Sequence, residues 1–329
     1  MRILFSFFAV IALALIAYAG VKIANLQFLF GVVIPYIAIA IFILGFIYRV
    51  LKWGSSPVPF RIPTTCGQQE SLSWIKQNKI ENPSSASGVV IRMALEVLLF
   101  RSLFRNLKTQ LKEGKLVYGE AKWLWLAGLA FHWSFLIIFV RHFRFFLQNT
   151  PSFIKTIEGL DSFLQVGVPL LYMTDIVLLG AVTYLFLRRV FIPQVNYISL
   201  AADYFPLFLI LGIASSGVVM RYFYKVHIVG VKELAMGLVT LSPVIPQGVG
   251  VMFYIHLFLI CTLLAYFPLS KLMHMGGVFL SPTRNMANNS RRARHINPWN
   301  YPVHIHTYEE YENDFREKMK KAGIPVEKE

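Results

Sequence analysis

Four histidines set inside two strongly apolar runs are the residues of this chain best suited to chemistry. His132 and His142 stand ten residues apart in the run 123–147, and His256 and His274 stand eighteen apart in the run 251–275. On continuous helices these spacings correspond to about 15 Å and about 27 Å of rise. An ionisable side chain at membrane depth is costly, which makes it a functional candidate by default. If the two helices run antiparallel, His132 faces His274 towards one membrane surface and His142 faces His256 towards the other. Facing imidazoles from neighbouring helices can ligate a haem iron from both sides, and bundle cores are where such cofactors sit. Two such sites stacked across a bilayer would form an electron path. A protein that only tethered a soluble enzyme would have no use for four intramembrane imidazoles.

Other reactive groups are sparser. Lys155, Asp161 and Asp175 gather near the end of the 123–147 run that carries His142. They are the candidates for a quinone and proton site, with Asp175 expected about ten residues inside a span beginning near Gln165. A competing reading makes Asp175 and the histidines a path for protons or solutes. His304 and His306 form an H-x-H pair that could favour a metal if more ligands lay nearby. The two cysteines, Cys66 and Cys261, form no CxxC or ferredoxin-like run. The chain therefore cannot build an iron–sulfur cluster alone, and any cluster belongs to a partner.

The elements that must position these groups are membrane helices. Of 329 residues 56% are hydrophobic, and the mean hydropathy is +0.56. Apolar runs of membrane length occur at about 3–23, 28–50, 123–147, 165–190, 204–223 and 249–273. The expectation is an all-α integral membrane bundle of about six transmembrane helices, with no strand required. Arg2 and the Ala17-Tyr18-Ala19 triplet give the first run the look of a signal peptide, yet its apolar stretch is long enough to be a retained span.

The net charge of +15 arises from 32 Lys and Arg against 17 Asp and Glu. Twenty-five of the basic residues fall in segments that lie on one side if the N-terminus is cytoplasmic. The positive-inside rule then predicts a multi-pass protein of the cytoplasmic (inner) membrane with both termini in the cytoplasm. This distribution favours contact with membrane lipids and removes the need to invoke nucleic acid. The organisation read from the pattern is two N-terminal spans (1–50), a cytoplasmic loop (51–122), a four-helix haem-binding domain (123–275) and a cytoplasmic tail (276–329). Within the loop, residues 89–107 carry Arg92, Glu96, Arg101 and Arg105 at helical spacing, predicting one amphipathic helix on the membrane surface. A short helix is expected over 308–321, and Pro268 should kink the last span.

The segments VIPYIAIAIFILGFIYRV, FHWSFLIIFVRHF, RRVFIPQV and HLFLICTLLAYFPLSKLMH resemble the gamma-subunit family of respiratory nitrate reductase, including both histidine spacings. That resemblance implies two b-type haems ligated by His132, His142, His256 and His274. It also implies a subunit passing electrons between menaquinol or menaquinone and a cytoplasmic iron–sulfur partner. The first span, the loop containing IPTTCGQQ and the tail SPTRNMANNSRRARHINPWN are similar to the DsrM group of sulfite-reduction-associated membrane complexes. This second resemblance implies a DsrK-like, heterodisulfide-reductase-type partner together with DsrJ-, DsrO- and DsrP-like redox subunits. One position departs from the pattern: Phe163 stands where nitrate reductase has a lysine near its quinol site.

Overall fold

The computed structural model describes residues 1–56, 67–105, 107–163, 170–292 and 303–328. Cys66 and the expected start of the fourth span at Gln165 lie outside them. Two long helices open the chain, α1 (Arg2–Tyr18), extended by a π-turn to Ile23, and α2 (Ile34–Gly54), preceded by a second π-turn. Pro35 occupies the first turn of α2, where its missing N–H breaks no helical bond. The loop region contributes α3 (Ala86–Leu99), α4 (Arg101–Arg105) and a hairpin of β1 (Leu107–Lys112) and β2 (Lys115–Glu120). Then follow α5 (Lys122–His142), α6 (Ser152–Asp161), α7 (Met173–Phe191), α8 (Pro193–Ile198), α9 (Ala201–Tyr222), α10 (Ile228–Val239) and α11 (Val251–Tyr266). The chain ends in α12 (His274–Leu280), α13 (Pro282–Asn285) and α14 (Tyr308–Lys321).

Among the described residues, five helices are long and apolar enough to cross a membrane: Arg2–Ile23, Leu29–Gly54, Lys122–Phe145, Ala201–Tyr222 and Val251–Leu269. The remaining expected span, the fourth in chain order, corresponds to α7, whose 19 residues amount to about 28 Å of rise. Its charged groups, Asp175, Arg188 and Arg189, sit in its first and last turns, and its apolar middle packs between α5 and α9. Side by side, α1, α2, α9 and α11 enclose small cores: Ala17, Val21, Phe30 and Tyr254 in one, Val10, Leu209 and Leu259 in the other. Large apolar side chains instead cover the outside, with Phe5 69% and Leu44 67% exposed. In water such a surface would be an aggregation hazard, whereas hydrocarbon solvates it. The fold is an all-α, multi-pass membrane bundle.

Three local expectations change. The antiparallel β1–β2 hairpin was not anticipated; Glu113 and Gly114, between the paired Lys112 and Lys115, adopt positive φ (51° and 74°). That is the backbone a two-residue hairpin turn demands, and the Glu-Gly pair was its local signal. The single amphipathic helix over 89–107 is broken at Phe100, which adopts φ 49° and ends α3. Glu96 then accepts the Ser102 N–H (3.1 Å) and hydroxyl (2.6 Å), starting α4 in a new direction. Finally, the last span is not one helix through His274. Pro268 lacks an N–H and crowds the preceding turn, so α11 stops at Tyr266, Ser270 becomes extended, and α12 begins afresh at His274. The 27 Å spacing of a continuous helix therefore does not apply.

The loop and tail are knit together. Asn288 donates to Asn82 (2.9 Å) and accepts from Gln69 (2.6 Å), while its backbone N–H meets the Pro83 carbonyl (2.7 Å). Arg92 donates to the Thr283 carbonyl at 3.2 Å, and Arg284 pairs with Glu96. The helix expected over 308–321 is α14, opened by a reciprocal Thr307–Glu310 capping box. Its Glu312 carboxylate accepts the Glu327 and Lys328 backbone N–H groups and pairs with Arg316; these bonds, led by Glu327, hold it below the usual carboxylate range.

Candidate functional site

His132 and His142 both project from α5, His256 from α11, and His274 from the start of α12. The His132 and His274 rings lie 6.0 Å apart, centre to centre, at 84°. His142 lies towards the C-terminal end of α5 and His256 near the start of α11. The structure thus brings together the partners that an antiparallel arrangement of the two runs calls for.

The hydrogen bonds of the four rings fix their tautomers. His132 Nδ1 lies 2.7 Å from the Gly128 carbonyl, His142 Nδ1 2.7 Å from that of Ile138, and His274 Nδ1 2.8 Å from that of Lys271. A carbonyl only accepts, so each Nδ1 carries the proton. His256 Nδ1 instead meets the Ser216 hydroxyl at 2.9 Å. That hydroxyl also lies 2.9 Å from the Ile213 carbonyl, and donation of its one proton there leaves its oxygen to accept from His256. All four imidazoles are therefore Nδ1–H tautomers with a lone pair on Nε2. Among the described residues, none of the four Nε2 atoms makes a hydrogen bond. Metal-ligating histidines are held in this way, the second nitrogen fixed by an outer partner.

The spacing also suits a metal held between imidazoles. With about 2.0–2.1 Å from each nitrogen to a shared metal and a further ~1.1 Å to each ring centre, opposed imidazoles place their centres roughly 6 Å apart. α5 packs on α7, and α11 packs on α1, α2 and α9, but α5 and α11 make no extensive contact with each other. Gly217 helps to seat His256, since a Cβ there would stand 3.3 Å from its Cε1. Gly45 does the same for the break before His274: a Cβ would approach Pro268 to 2.6 Å. These features fit a haem, which His132 with His274 and His142 with His256 would hold through Nε2.

Beside His142 lies a buried ionic cluster that the sequence reading only half identified. Arg141, 6% exposed, sits between two carboxylates, with NH2 2.8 Å from Asp175 and Nε 3.2 Å from Asp161. Asp161 also accepts the Thr174 N–H (2.9 Å) and hydroxyl (2.7 Å). Tyr222 donates to Asp175 at 3.0 Å and accepts the Tyr172 N–H at 3.0 Å. The Tyr172 ring is itself held between two guanidinium groups, Arg141 at 3.7 Å and Arg221 at 3.9 Å. Asp175 is therefore not deep within a span. α7 begins only at Met173, which puts Asp175 in its first turn, paired with Arg141. Asp161 and Asp175 meet through Arg141 and Thr174, whereas Lys155 stands apart. It is exposed on α6 and lines a cavity of about 230 Å³ with Arg144, Glu158 and Lys232. Phe163, where nitrate reductase has a lysine, is 64% exposed.

Arg141, Tyr172, Ser216 and Tyr222 were not singled out as site residues. For Arg141 the signal was available: a basic residue adjoining a span histidine, with two acids nearby in need of a counter-charge. Ser216 carries no sequence signal of its own, since a serine among small residues of an apolar helix is commonplace.

Comparison with known proteins places the chain in a family. Residues 85–291 match the nitrate reductase gamma subunit family. An "Hdr-like menaquinol oxidoreductase cytochrome b-like subunit" of Archaeoglobus fulgidus is 45% identical over 278 residues, covering 82% of this chain and 83% of that protein. A subunit of the same description from Archaeoglobus profundus is 43% identical over 274 residues, covering 81% of each. On the extent of both matches, this chain belongs to the nitrate reductase gamma-subunit family.

Proposed function

We propose that this chain is a di-haem b membrane subunit that moves electrons between menaquinol, at the His142 end of the bundle, and an iron–sulfur partner at the His274 end. One observation carries the reading: four Nδ1–H imidazoles offer Nε2 lone pairs, in two pairs, from helices that stand apart. His132 with His274 would hold one haem and His142 with His256 the other; bound there, the haems supply reversible one-electron chemistry. The carbonyl and hydroxyl partners on Nδ1 orient each ring and raise the basicity of Nε2. Oxidation of a quinol releases two protons with its two electrons, so residues at that end must accept protons and pass them to water. Asp175, joined to Tyr222, and Asp161 are the carboxylates beside His142, and Lys155 can donate to a quinone oxygen from the neighbouring cavity rim. Asp175→Asn and Lys155→Ala should each slow haem reduction by a menaquinol analogue while leaving the haem spectrum intact. Unchanged rates in both would move the quinone elsewhere.

The membrane is the cytoplasmic one in this proposal, with both termini inside, as the placement of basic residues favours. The partner is a DsrK-like, heterodisulfide-reductase-type subunit within a sulfur-metabolising complex of the DsrM type, with DsrJ-, DsrO- and DsrP-like companions. The loop and tail segments named above support it, as does the "Hdr-like" description of the relatives. With two cysteines in the whole chain, the cluster must come from another subunit. Isolation of the intact complex and identification of its subunits checks this; a complex lacking any iron–sulfur protein contradicts it.

A further inference from the structure

At the start of α14, away from the membrane helices, three side chains of metal-ligating type converge. His304, His306 and Glu310 each offer one ligand atom, and these atoms lie within 4.8 Å of one another. Ligands of a tetrahedral zinc ion at about 2.0–2.1 Å stand about 3.3 Å apart, so the donors need to draw together by no more than about 1.5 Å. All three residues are exposed, and an ion could reach them directly from solvent.

The surroundings supply what a ligand set needs beyond its donors. His304 and His306 alternate along the segment leading into α14, and their rings meet edge to face at 5.0 Å. Glu310 is held in place: its Oε2 accepts the Thr307 N–H at 2.9 Å, and its own N–H bonds back to the Thr307 hydroxyl. One carboxylate oxygen is thereby fixed while the other stays available. Asp314, four residues on and so on the same helix face, puts a carboxylate oxygen 3.9 Å from His306 Nδ1. At that range the contact is ionic rather than a hydrogen bond, and a carboxylate near the second nitrogen of a ligating histidine helps to orient the ring. The other nearby acid, Glu309, is engaged by Lys328.

We propose that His304, His306 and Glu310 bind a divalent transition-metal ion of the zinc type, with Asp314 as the positioning residue for His306. Two imidazoles and one carboxylate are a borderline donor set that suits Zn2+ better than Mg2+ or Ca2+, which take mostly oxygen ligands. Three ligands leave the fourth tetrahedral position for water or a donor from another chain. The site is independent of the haem reading, because none of its residues lies in the bundle.

The test uses untagged full-length protein, stripped with a chelator, desalted, and equilibrated with Zn2+ against a competing chelator of micromolar affinity. Elemental analysis then counts zinc per chain. Wild-type protein should retain one equivalent, and a His304→Ala/His306→Ala double variant none, with an unchanged haem spectrum. Equal zinc in the two proteins, or none in the wild type, overturns the proposal. Asp314→Asn should weaken zinc binding by about 10–100-fold; unchanged affinity overturns the role given to Asp314.

Discussion

The two histidine pairs share a tautomer but are supported by different means. His256 is buried on an uninterrupted helix, bonded to a hydroxyl from α9 and closely approached by Gly217 of that helix, while its partner His142 is half-buried beside the Arg141 cluster. His132 and His274 are both exposed, and each bonds a carbonyl of its own chain segment three or four residues back. His274 moreover follows the break at Pro268 rather than extending α11. Of the four rings only His256 is pinned by a side chain from another helix, whereas His142, like His132 and His274, bonds a carbonyl of its own segment; the first pair thus depends on a tertiary contact through His256 and the second does not. Substitutions in neighbouring helices should disturb the first pair and spare the second.

The largest effect is expected from Arg141→Ala. It leaves Asp161 and Asp175 buried without their shared counter-charge, and breaking a buried pair in this way costs about 3–5 kcal/mol. Thermal denaturation in detergent should show the loss, with the haem at His142–His256 released first. Simultaneous release of both haems would break the comparison. Next, Ser216→Ala removes the outer partner of His256 and should weaken haem retention at that pair by about 10–100-fold. Competition for haem by apomyoglobin measures it, and the other pair should be unaffected.

Smaller changes sharpen the contrast. Gly217→Ala places a methyl group 3.3 Å from His256 Cε1, so the ring must shift by a few tenths of an ångström. Haem should stay bound, with altered electron paramagnetic resonance signals from one centre only. The least effect is expected from Asp203→Asn. Asp203 pairs at 2.8 Å with Lys271, whose carbonyl receives His274, but the Lys271 side chain is largely exposed and such a pair contributes at most about 1 kcal/mol. Titration of the haem potentials should find the His132–His274 centre almost unmoved. A shift there as large as that from Ser216→Ala would show that the local pair also relies on side-chain support.

Much of this was legible in the sequence because hydrocarbon imposes simple rules. Apolar length located the spans, and the four histidines stood out against them. Pro268 marked the disturbance in the last span, though not that α11 would end there and α12 restart at His274. The remainder depended on contacts between distant residues. Asp175 was assigned to mid-membrane because the apolar run seemed to start near Gln165, whereas the helix begins at Met173 and exposes Asp175 to Arg141. Ser216 looks like any other small residue until α9 meets α11. The break at Phe100 and the hairpin turn at Glu113 and Gly114 are settled by single positive-φ residues, which hydropathy does not report.

The central claim is that each pair of imidazoles holds its own haem. Purified wild-type protein and the His256→Ala variant should be compared by pyridine haemochrome assay and by reduced-minus-oxidised difference spectra at low temperature. The account predicts two b-type haems per chain in the wild type and one in the variant, with the residual signal unchanged in position. Haem content indifferent to His256, or the loss of both haems in a variant that remains folded, would contradict it.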